Sequence, residues 1–85
     1  RNPTLLIEVL SPSTEALDRG GKFGNYVQVP SLQEYVLVAQ DVPQVEVMRR
    51  RNAWRPEFLF MDDILVLESA GLSIPVTNIY QTLAF

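Results

Sequence analysis

The residue that most directly suggests chemistry is Glu8, a single carboxylate inside a strongly apolar segment of the chain. Its neighbours in that segment are Leu6, Ile7, Val9 and Leu10. An ionised carboxylate in such surroundings needs a cation or several hydrogen-bond donors close to it. Two interpretations follow. Glu8 forms a structural ion pair, or it is a ligand of a hard cation, for which Mg²⁺ is the natural candidate because it prefers carboxylate oxygens and water.

A second candidate is Lys22, which follows Asp18 at the spacing of one helical turn. The simplest interpretation is a surface pair between these two side chains, worth roughly a few tenths of a kcal/mol. The functional alternative is that Lys22 reaches over the end of the Glu8 strand. There an ammonium group orients a water molecule or stabilises negative charge that develops on a phosphate. The segment Gly20-Gly21-Lys22 lacks the spacing and the following Ser or Thr of a Walker phosphate loop.

A cluster of arginines is the third feature, because four of the seven basic residues of the chain are Arg49, Arg50, Arg51 and Arg55. They flank a predicted turn at residues 52–53. The ordinary interpretation of such a cluster is a solvated hairpin tip. The alternative is contact with nucleic-acid phosphates, which requires only charge and reach.

Composition narrows the possible chemistry. The 85 residues include no cysteine and no histidine, which excludes a disulfide framework, thiolate metal sites and Ser/His or Cys/His nucleophile pairs. The net charge of −3 argues against a protein coated by nucleic acid, but a local basic site stays open. No apolar segment approaches the ~20 residues of a membrane span. We therefore expect a cytoplasmic protein with no membrane partner.

The elements that position these residues follow from the apolar patterns. The first strand is apolar on both alternating faces, which predicts a central strand buried on both sides. In the strand at 44–51, Val45 and Val47 alternate with Glu46 and Met48, which predicts a half-buried strand. We expect Thr77 to cap the last helix. The predicted order is a strand at 4–10, a helix at 15–28, strands at 34–40, 44–51, 54–61 and 64–67, a loop at 71–75 and a helix at 76–85.

This order predicts an α/β fold with a mixed sheet in one domain, residues 1–85. If the first two strands share a sheet, they are parallel, with a right-handed crossover through the first helix. The strands at 34–40, 44–51 and 54–61 follow one another closely and predict an antiparallel meander.

Three segments carry a resemblance to a known family: L-L-I-E-V-L-S-P-S-T, then D-R-G-G-K-F-G-N-Y, then V-P-S-L-Q-E-Y-V-L-V. Their order and spacing, from Pro3 to Met48, resemble the Uma-type endonuclease family, which is expanded in cyanobacteria and long carried as a domain of unknown function. That family belongs to the PD-(D/E)xK superfamily. The resemblance implies a restriction endonuclease-like mixed sheet flanked by helices, of which residues 1–85 form only the C-terminal part.

The resemblance also implies roles for individual residues. Glu8 corresponds to the acidic residue of the D/E-x-K half-motif and to a ligand of Mg²⁺ or Mn²⁺. Leu10 stands where the lysine of the motif is expected, and the resemblance moves that role to Lys22. Asp18 and Tyr26 would orient Lys22 from the same helix. The other metal-binding carboxylate of the superfamily is an aspartate on the strand before Glu8, upstream of this sequence.

The implied activity is metal-dependent hydrolysis of phosphodiesters in nucleic acid, DNA above all. Because one metal-binding aspartate lies outside the sequence, we expect little or no activity from these 85 residues alone. A first alternative is a catalytically inactive, truncated paralogue that acts as a binding or assembly domain. A second is a plain interaction domain in which Glu8 forms a structural ion pair. An apolar sheet face left exposed by a missing half predicts association into a homo-oligomer.

Overall fold

A computed structural model describes residues 4–10, 24 and 28–83 of the chain. A 3₁₀ turn, Arg50–Asn52, connects the third strand to the fourth. The described elements are β1 (Leu5–Leu10), β2 (Glu34–Ala39), β3 (Val45–Arg49), β4 (Pro56–Leu59), β5 (Ile64–Leu67), β6 (Leu72–Pro75) and α1 (Val76–Leu83).

The main sheet has four strands in the order β1-β2-β3-β4. β1 and β2 are parallel, whereas the β2–β3 and β3–β4 pairs are antiparallel, so the sheet is mixed and the predicted α/β class is confirmed. β5 and β6 form a separate two-stranded antiparallel sheet. Most of the predicted helix at 15–28 lies outside the described residues. In the described part of the chain, no helix is long and apolar enough to cross a membrane.

The two faces of the main sheet are packed differently. On one face, which we call the core face, valines of β2 and β3 pack against β5 and α1. The opposite face carries Glu8 on β1, and we call it the Glu8 face. The residues buried together on the core face are Val36, Val38, Val45, Val47, Leu65, Leu67, Val76 and Tyr80. Those buried together on the Glu8 face are Leu10, Tyr35, Leu37 and Met48, with Leu6 and Trp54 packed against them.

Among the described strands, β1 does not take the central place that its apolar sequence predicts. Within the described residues it pairs with β2 alone and ends the sheet, and Ile7 and Val9 are 47% and 49% exposed. β2 and β3 instead occupy the centre, and nearly all their side chains are buried. An apolar run identifies a strand but not its place in the sheet, which depends on what packs against each face.

β3 and β4 are shorter than predicted, because the chain reverses direction in a compact turn between them. The 3₁₀ turn ends at Ala53, which has a φ of 56°, and Trp54 follows with a φ of 62°. Two consecutive left-handed residues other than glycine are uncommon, since such backbone crowds the Cβ atom. Hydrogen bonds close the turn, from the Ala53 N–H to the Arg50 carbonyl and from the Trp54 N–H to the Arg49 carbonyl.

The segment predicted as a loop at 71–75 is a strand. Leu72–Pro75 pairs with β5, and the turn before it uses Gly71 at a φ of 68°, where glycine avoids a steric cost. The predicted cap is also wrong, because α1 begins at Val76 and therefore already includes Thr77. The Val76 N–H donates instead to the carbonyl of Asp63, which ties the start of the helix to the β4–β5 connection.

Tyr80 fixes α1 to the main sheet. Its hydroxyl accepts a hydrogen bond from the Gln44 N–H at 3.0 Å. The same hydroxyl lies within donating distance of two carbonyl oxygens, that of Ala39 at 2.6 Å and that of Gln44 at 2.8 Å. Burial raises the pKa of the Tyr80 hydroxyl, although the bond to Gln44 opposes that rise. The buried tyrosine therefore joins the helix to the connection between β2 and β3.

Candidate functional site

Glu8 lies in the middle of β1 and is half-buried. Its strand partner in the parallel register is Leu37 of β2. Side chains alternate between the faces of a strand, so Glu8 shares the Glu8 face with Leu6 and Leu10, both of which pack with the buried cluster there. The carboxylate thus stands at the border of an apolar surface, and it takes part in at least one polar or electrostatic contact.

A second carboxylate, Glu46 of β3, lies in the same cross-strand row. Leu37 is the partner of Glu8 on one side and of Glu46 on the other. Because paired residues project from the same face, Glu8 and Glu46 flank Leu37 on the Glu8 face. Neighbouring strands lie about 4.8 Å apart, which separates the two backbones by roughly 10 Å.

Glu46 is only 7% exposed, so the prediction of a half-buried strand at 44–51 is wrong for this face. All five residues of β3 are buried. Met48, an apolar residue on the same alternating face as Glu46, was the signal that this face is covered as well. Glu46 is the candidate functional residue that sequence reasoning missed.

The other predicted residues of the Glu8 site lie outside the described residues. These are Lys22, Asp18 and Tyr26, all in the segment between β1 and β2. Their proximity to Glu8 stays a prediction.

Arg49, the first residue of the arginine cluster, is an internal ion-pairing residue. Its side chain is 7% exposed, and its Nε lies 2.9 Å from Glu34 Oε2. Its Nη1 lies 2.8 Å from Glu57 Oε1, and its Nη2 donates to the Val66 carbonyl. With its guanidinium enclosed and bonded in this way, Arg49 is not placed to contact a phosphate.

Glu34, the buried partner of Arg49, is 1% exposed and well supplied with donors. It accepts hydrogen bonds from the backbone N–H groups of Glu68 and Ser69 at 2.9 and 2.8 Å and from the Ser69 hydroxyl at 2.6 Å. Burial raises the pKa of this carboxyl, but the bonds from Ser69, Arg49 and Glu68 together hold it below its ordinary value. Glu34 and Arg49 therefore connect the main sheet to the turn after β5.

Arg50 also has a structural role. Its Nε and Nη2 donate to the carbonyls of Leu32 and Val29, at 2.7 and 2.8 Å. Its guanidinium lies over the ring of Trp54, 5.1 Å from the ring centroid, a distance typical of a cation–π contact. These contacts tie the segment before β2 to the turn after β3.

Arg51 and Arg55 are the members of the cluster that face solvent. Arg51 forms a two-pronged ion pair with Glu68, through Nε and Nη2 at 2.6 and 2.5 Å. The bond to Arg51 holds the pKa of Glu68 below its ordinary value. Arg55 donates from Nε to the Asn52 carbonyl at 3.2 Å. Both guanidinium groups keep donors at the surface, so a phosphate contact is sterically open to this half of the cluster.

The described residues fit a divalent metal only in part. Glu8 supplies one carboxylate of the kind that Mg²⁺ binds, and that ion commonly uses one or two carboxylates and keeps several waters. Over residues 4–10, 24 and 28–83 there is no group of three or more Asp, Glu, His or Cys side chains that could hold a metal ion. The described residues alone therefore do not make up a complete metal site.

Comparison with known proteins gives a match over most of the chain. The family model described as "Uma2: Putative restriction endonuclease" matches residues 1–77. An uncharacterized protein of Synechocystis sp., slr1290, is 45% identical over 85 residues, which cover 98% of this chain and 45% of that protein. A second uncharacterized Synechocystis protein, sll1609, is 49% identical over 45 residues, which cover 53% of this chain and 25% of that protein. The chain thus spans less than half the length of these relatives.

Proposed function

Because this chain belongs to the Uma2 family of restriction endonuclease-like proteins, we propose that it supplies one metal-binding carboxylate, that of Glu8, to a metal-dependent nuclease site. The observation that supports this most directly is the position of Glu8, a half-buried carboxylate within β1. It borders a buried apolar face and stands in one row with Glu46.

In this proposal Glu8 holds Mg²⁺ or Mn²⁺ together with a carboxylate from outside this sequence. When bound, the ion polarises a phosphodiester and lowers the pKa of a coordinated water. In this role the two carboxylate oxygens of Glu8 face the ion. The apolar residues beside it, Leu6 and Leu10, limit the access of bulk water and strengthen charge interactions at the site.

Lys22 supplies the positive charge of the proposed site. The resemblance to the family motif gives it the role of the motif's lysine, which is to position the attacking water or to stabilise the developing negative charge. Asp18 and Tyr26 orient its ammonium group.

The proposed substrate is nucleic acid, with DNA as the first candidate. Arg51 and Arg55 are the exposed cations of the described chain and would contact phosphates beside the cleavage site. Arg51 must first give up part of its pair with Glu68. Such contacts predict that binding weakens as salt rises.

The test is plasmid cleavage by the longest natural protein that contains this sequence, with Mg²⁺ or Mn²⁺ added. We expect Glu8→Gln and Lys22→Ala each to lower the cleavage rate by about 100-fold or more, as loss of a charge that stabilises the transition state does. Asp62→Asn, which removes an exposed carboxylate in the turn after β4, is the matched control and should cleave normally. Unchanged cleavage in both site variants would refute the assignment.

The same experiment separates the proposal from an inactive paralogue. Salt-sensitive DNA binding without metal-dependent cleavage by the longest natural form supports a binding or assembly domain instead. For the 85 residues alone we expect little or no cleavage, because the family pattern places the second carboxylate ligand on a strand before that of Glu8. Robust cleavage by the 85 residues alone would contradict the proposal that Glu8 shares the ion with a carboxylate from outside them.

Self-association is also part of the proposal. Ile7 and Val9 on β1 are about half exposed, and the outer edge of β1 is unpaired within the described residues. Unpaired edges and exposed apolar side chains favour pairing with another chain. Sedimentation equilibrium of the 85-residue chain should show dimers or larger species, which a charge introduced by Val9→Lys should dissociate. A monomer at all concentrations would contradict this expectation.

A further inference from the structure

We propose that a cleft at one end of the core face binds a small organic cation, one that joins an ammonium group to an apolar body. The cleft lies between the β2–β3 connection, the β4–β5 connection and helix α1. Tyr80, which lines it, packs on the core face, whereas Glu8 lies on the opposite face of the sheet. The proposed site is therefore separate from the nuclease site and does not depend on it.

The cleft has the size and the lining of a small-molecule site. Its volume is about 580 Å³, within the roughly 300–1,000 Å³ that such sites occupy. Val42, Pro43 and Met61 give it apolar walls, and Val42 and Met61 are 47% and 39% exposed. Contact with an apolar body would remove this surface from water, which favours binding.

Hydrogen bonds join the three segments that form the cleft. The Tyr80 hydroxyl on α1 bonds to the backbone of Gln44, at the end of the β2–β3 connection. The Val76 N–H at the start of α1 donates to the Asp63 carbonyl, and Asp63 makes two bonds to the backbone of Phe60. Both connections are thus tied to the helix, so the cleft is formed before a ligand arrives and binding costs little ordering of the chain.

The charge of the cleft favours a cation. Of the described residues that line it, Asp41 is the one that carries a charge. The ion pairs of the described arginines use Glu34, Glu57 and Glu68, so none of these arginines neutralises Asp41. Burial raises the pKa of the Tyr80 hydroxyl most, and the negative charge of Asp41 raises it further, which shows that this charge acts on the cleft wall. A cation is therefore attracted to the cleft and an anion is repelled.

Neutral polar groups complete the fit to an ammonium group. Thr77, Gln40 and Gln81 also line the cleft, and the oxygens of their side chains accept hydrogen bonds. An ammonium group has three N–H donors, so the Asp41 carboxylate and two of these oxygens suffice for it. A neutral analogue with the same apolar body loses the charge-assisted bond to Asp41, which is the stronger kind of hydrogen bond.

The test is an NMR titration of the longest natural protein that contains this sequence, without metal or nucleic acid. The probes are phenethylammonium, the neutral phenethyl alcohol and the anion hydrocinnamate, which share one aromatic body. We expect the cation to bind saturably with a Kd of about 1–10 mM, as suits so small a ligand. It should bind about threefold or more tightly than the alcohol, with the anion weakest. The backbone amide signals that shift should include those of Asp41, Val42 and Thr77.

Two variants assign the charge to its residue. Asp41→Asn should lower the affinity for phenethylammonium about threefold or more, to that of the alcohol, and should leave the affinity for the alcohol unchanged. Asp62→Asn is the matched control, because it removes an exposed carboxylate beside Met61 that is not among the residues lining the cleft. This control should change the affinity for the cation by less than about twofold.

Equal binding of cation and anion, equal losses in the two variants, or shifts confined to residues away from the cleft would overturn the proposal. Absence of saturable binding to the natural protein would overturn it as well. If the cleft signals shift with protein concentration alone, a second copy of the chain occupies the cleft and the proposal is wrong. None of these results concerns cleavage, so a failure of the proposed nuclease function is recognised separately.

Discussion

Arg49 and Arg51 allow a direct test of how burial determines the contribution of an ion pair to the free energy of unfolding. They are the same residue type, two positions apart, and both pair with glutamates. The Arg49 side chain is 7% exposed and that of Arg51 is 58% exposed. Replacing each by methionine keeps an unbranched apolar side chain and removes the charge. We expect the two substitutions to differ greatly in their effect on stability.

The magnitude for Arg49→Met follows from its partners. Removing one member of a buried pair costs about 3–5 kcal/mol, because the other charge is left uncompensated. Glu34 would still accept bonds from Ser69 and from the Glu68 N–H, which places the cost at the lower end, about 3 kcal/mol. A domain of this size has a free energy of unfolding of roughly 4–13 kcal/mol, so the loss is a large fraction of it.

The assay is urea unfolding followed by circular dichroism. With a slope of about 1–1.5 kcal/mol per molar urea for a small domain, Arg49→Met should lower the midpoint by about 2 M or more. Arg51→Met should shift the midpoint far less, because solvent screens an exposed pair. Equal shifts for the two variants, or an Arg49→Met midpoint close to that of the unmodified chain, would refute the reasoning.

Three further predictions concern stability. The pKa of Glu34 is lowered in the folded chain, so its stabilising contribution is present above the ordinary glutamate pKa, about 4.3, and is lost as pH falls through the folded value. Glu34→Gln should therefore flatten the fall in the free energy of unfolding between pH 6 and pH 2. An unchanged slope in that series would contradict this expectation. Tyr80→Phe should cost about 1–3 kcal/mol in urea unfolding, because it strands the buried polar groups of Gln44, and a cost near zero would show that water replaces the hydroxyl. Ala53→Gly should add about 0.5–1 kcal/mol to the free energy of unfolding and so raise the thermal midpoint slightly, because glycine adopts the left-handed backbone without strain. A lower midpoint would mean that the extra freedom of glycine in the unfolded chain outweighs this relief.

Much of the fold is readable from the apolar patterns. The sequence E-Y-V-L-V-A at Glu34–Ala39 predicts a buried strand, and the structure has one with those bounds. The pairing directions also follow from the connections, since short turns join antiparallel strands and the long first connection joins a parallel pair. β6 was missed because Leu72–Pro75 is short and ends in proline, which is typical of a loop in the absence of its pairing partner.

The candidate site was less predictable than the fold. Glu8 was recognisable because a carboxylate inside an apolar run conflicts with its surroundings. Glu46 was less evident, because an alternating strand such as V-E-V-M is also typical of one with a solvated face. Met48 was the one sign in the sequence that this face is covered, and the burial of all five residues of β3 shows that it is. The prediction of a solvated or phosphate-binding arginine cluster is wrong for Arg49 and Arg50. A run of charges in the sequence does not show that two of these side chains bond to groups within the protein.

The bonds between Glu34, Arg49 and Ser69 have a consequence for how this chain can change over generations. Loss of either charged residue alone strands the other in the interior, whereas joint replacement by apolar residues of similar volume is often tolerated or even stabilising. The two positions should therefore be inherited as a unit, with relatives carrying both charges or neither. Because Ser69 donates two bonds to Glu34, its position should vary in step with them, although it lies 35 residues away along the chain.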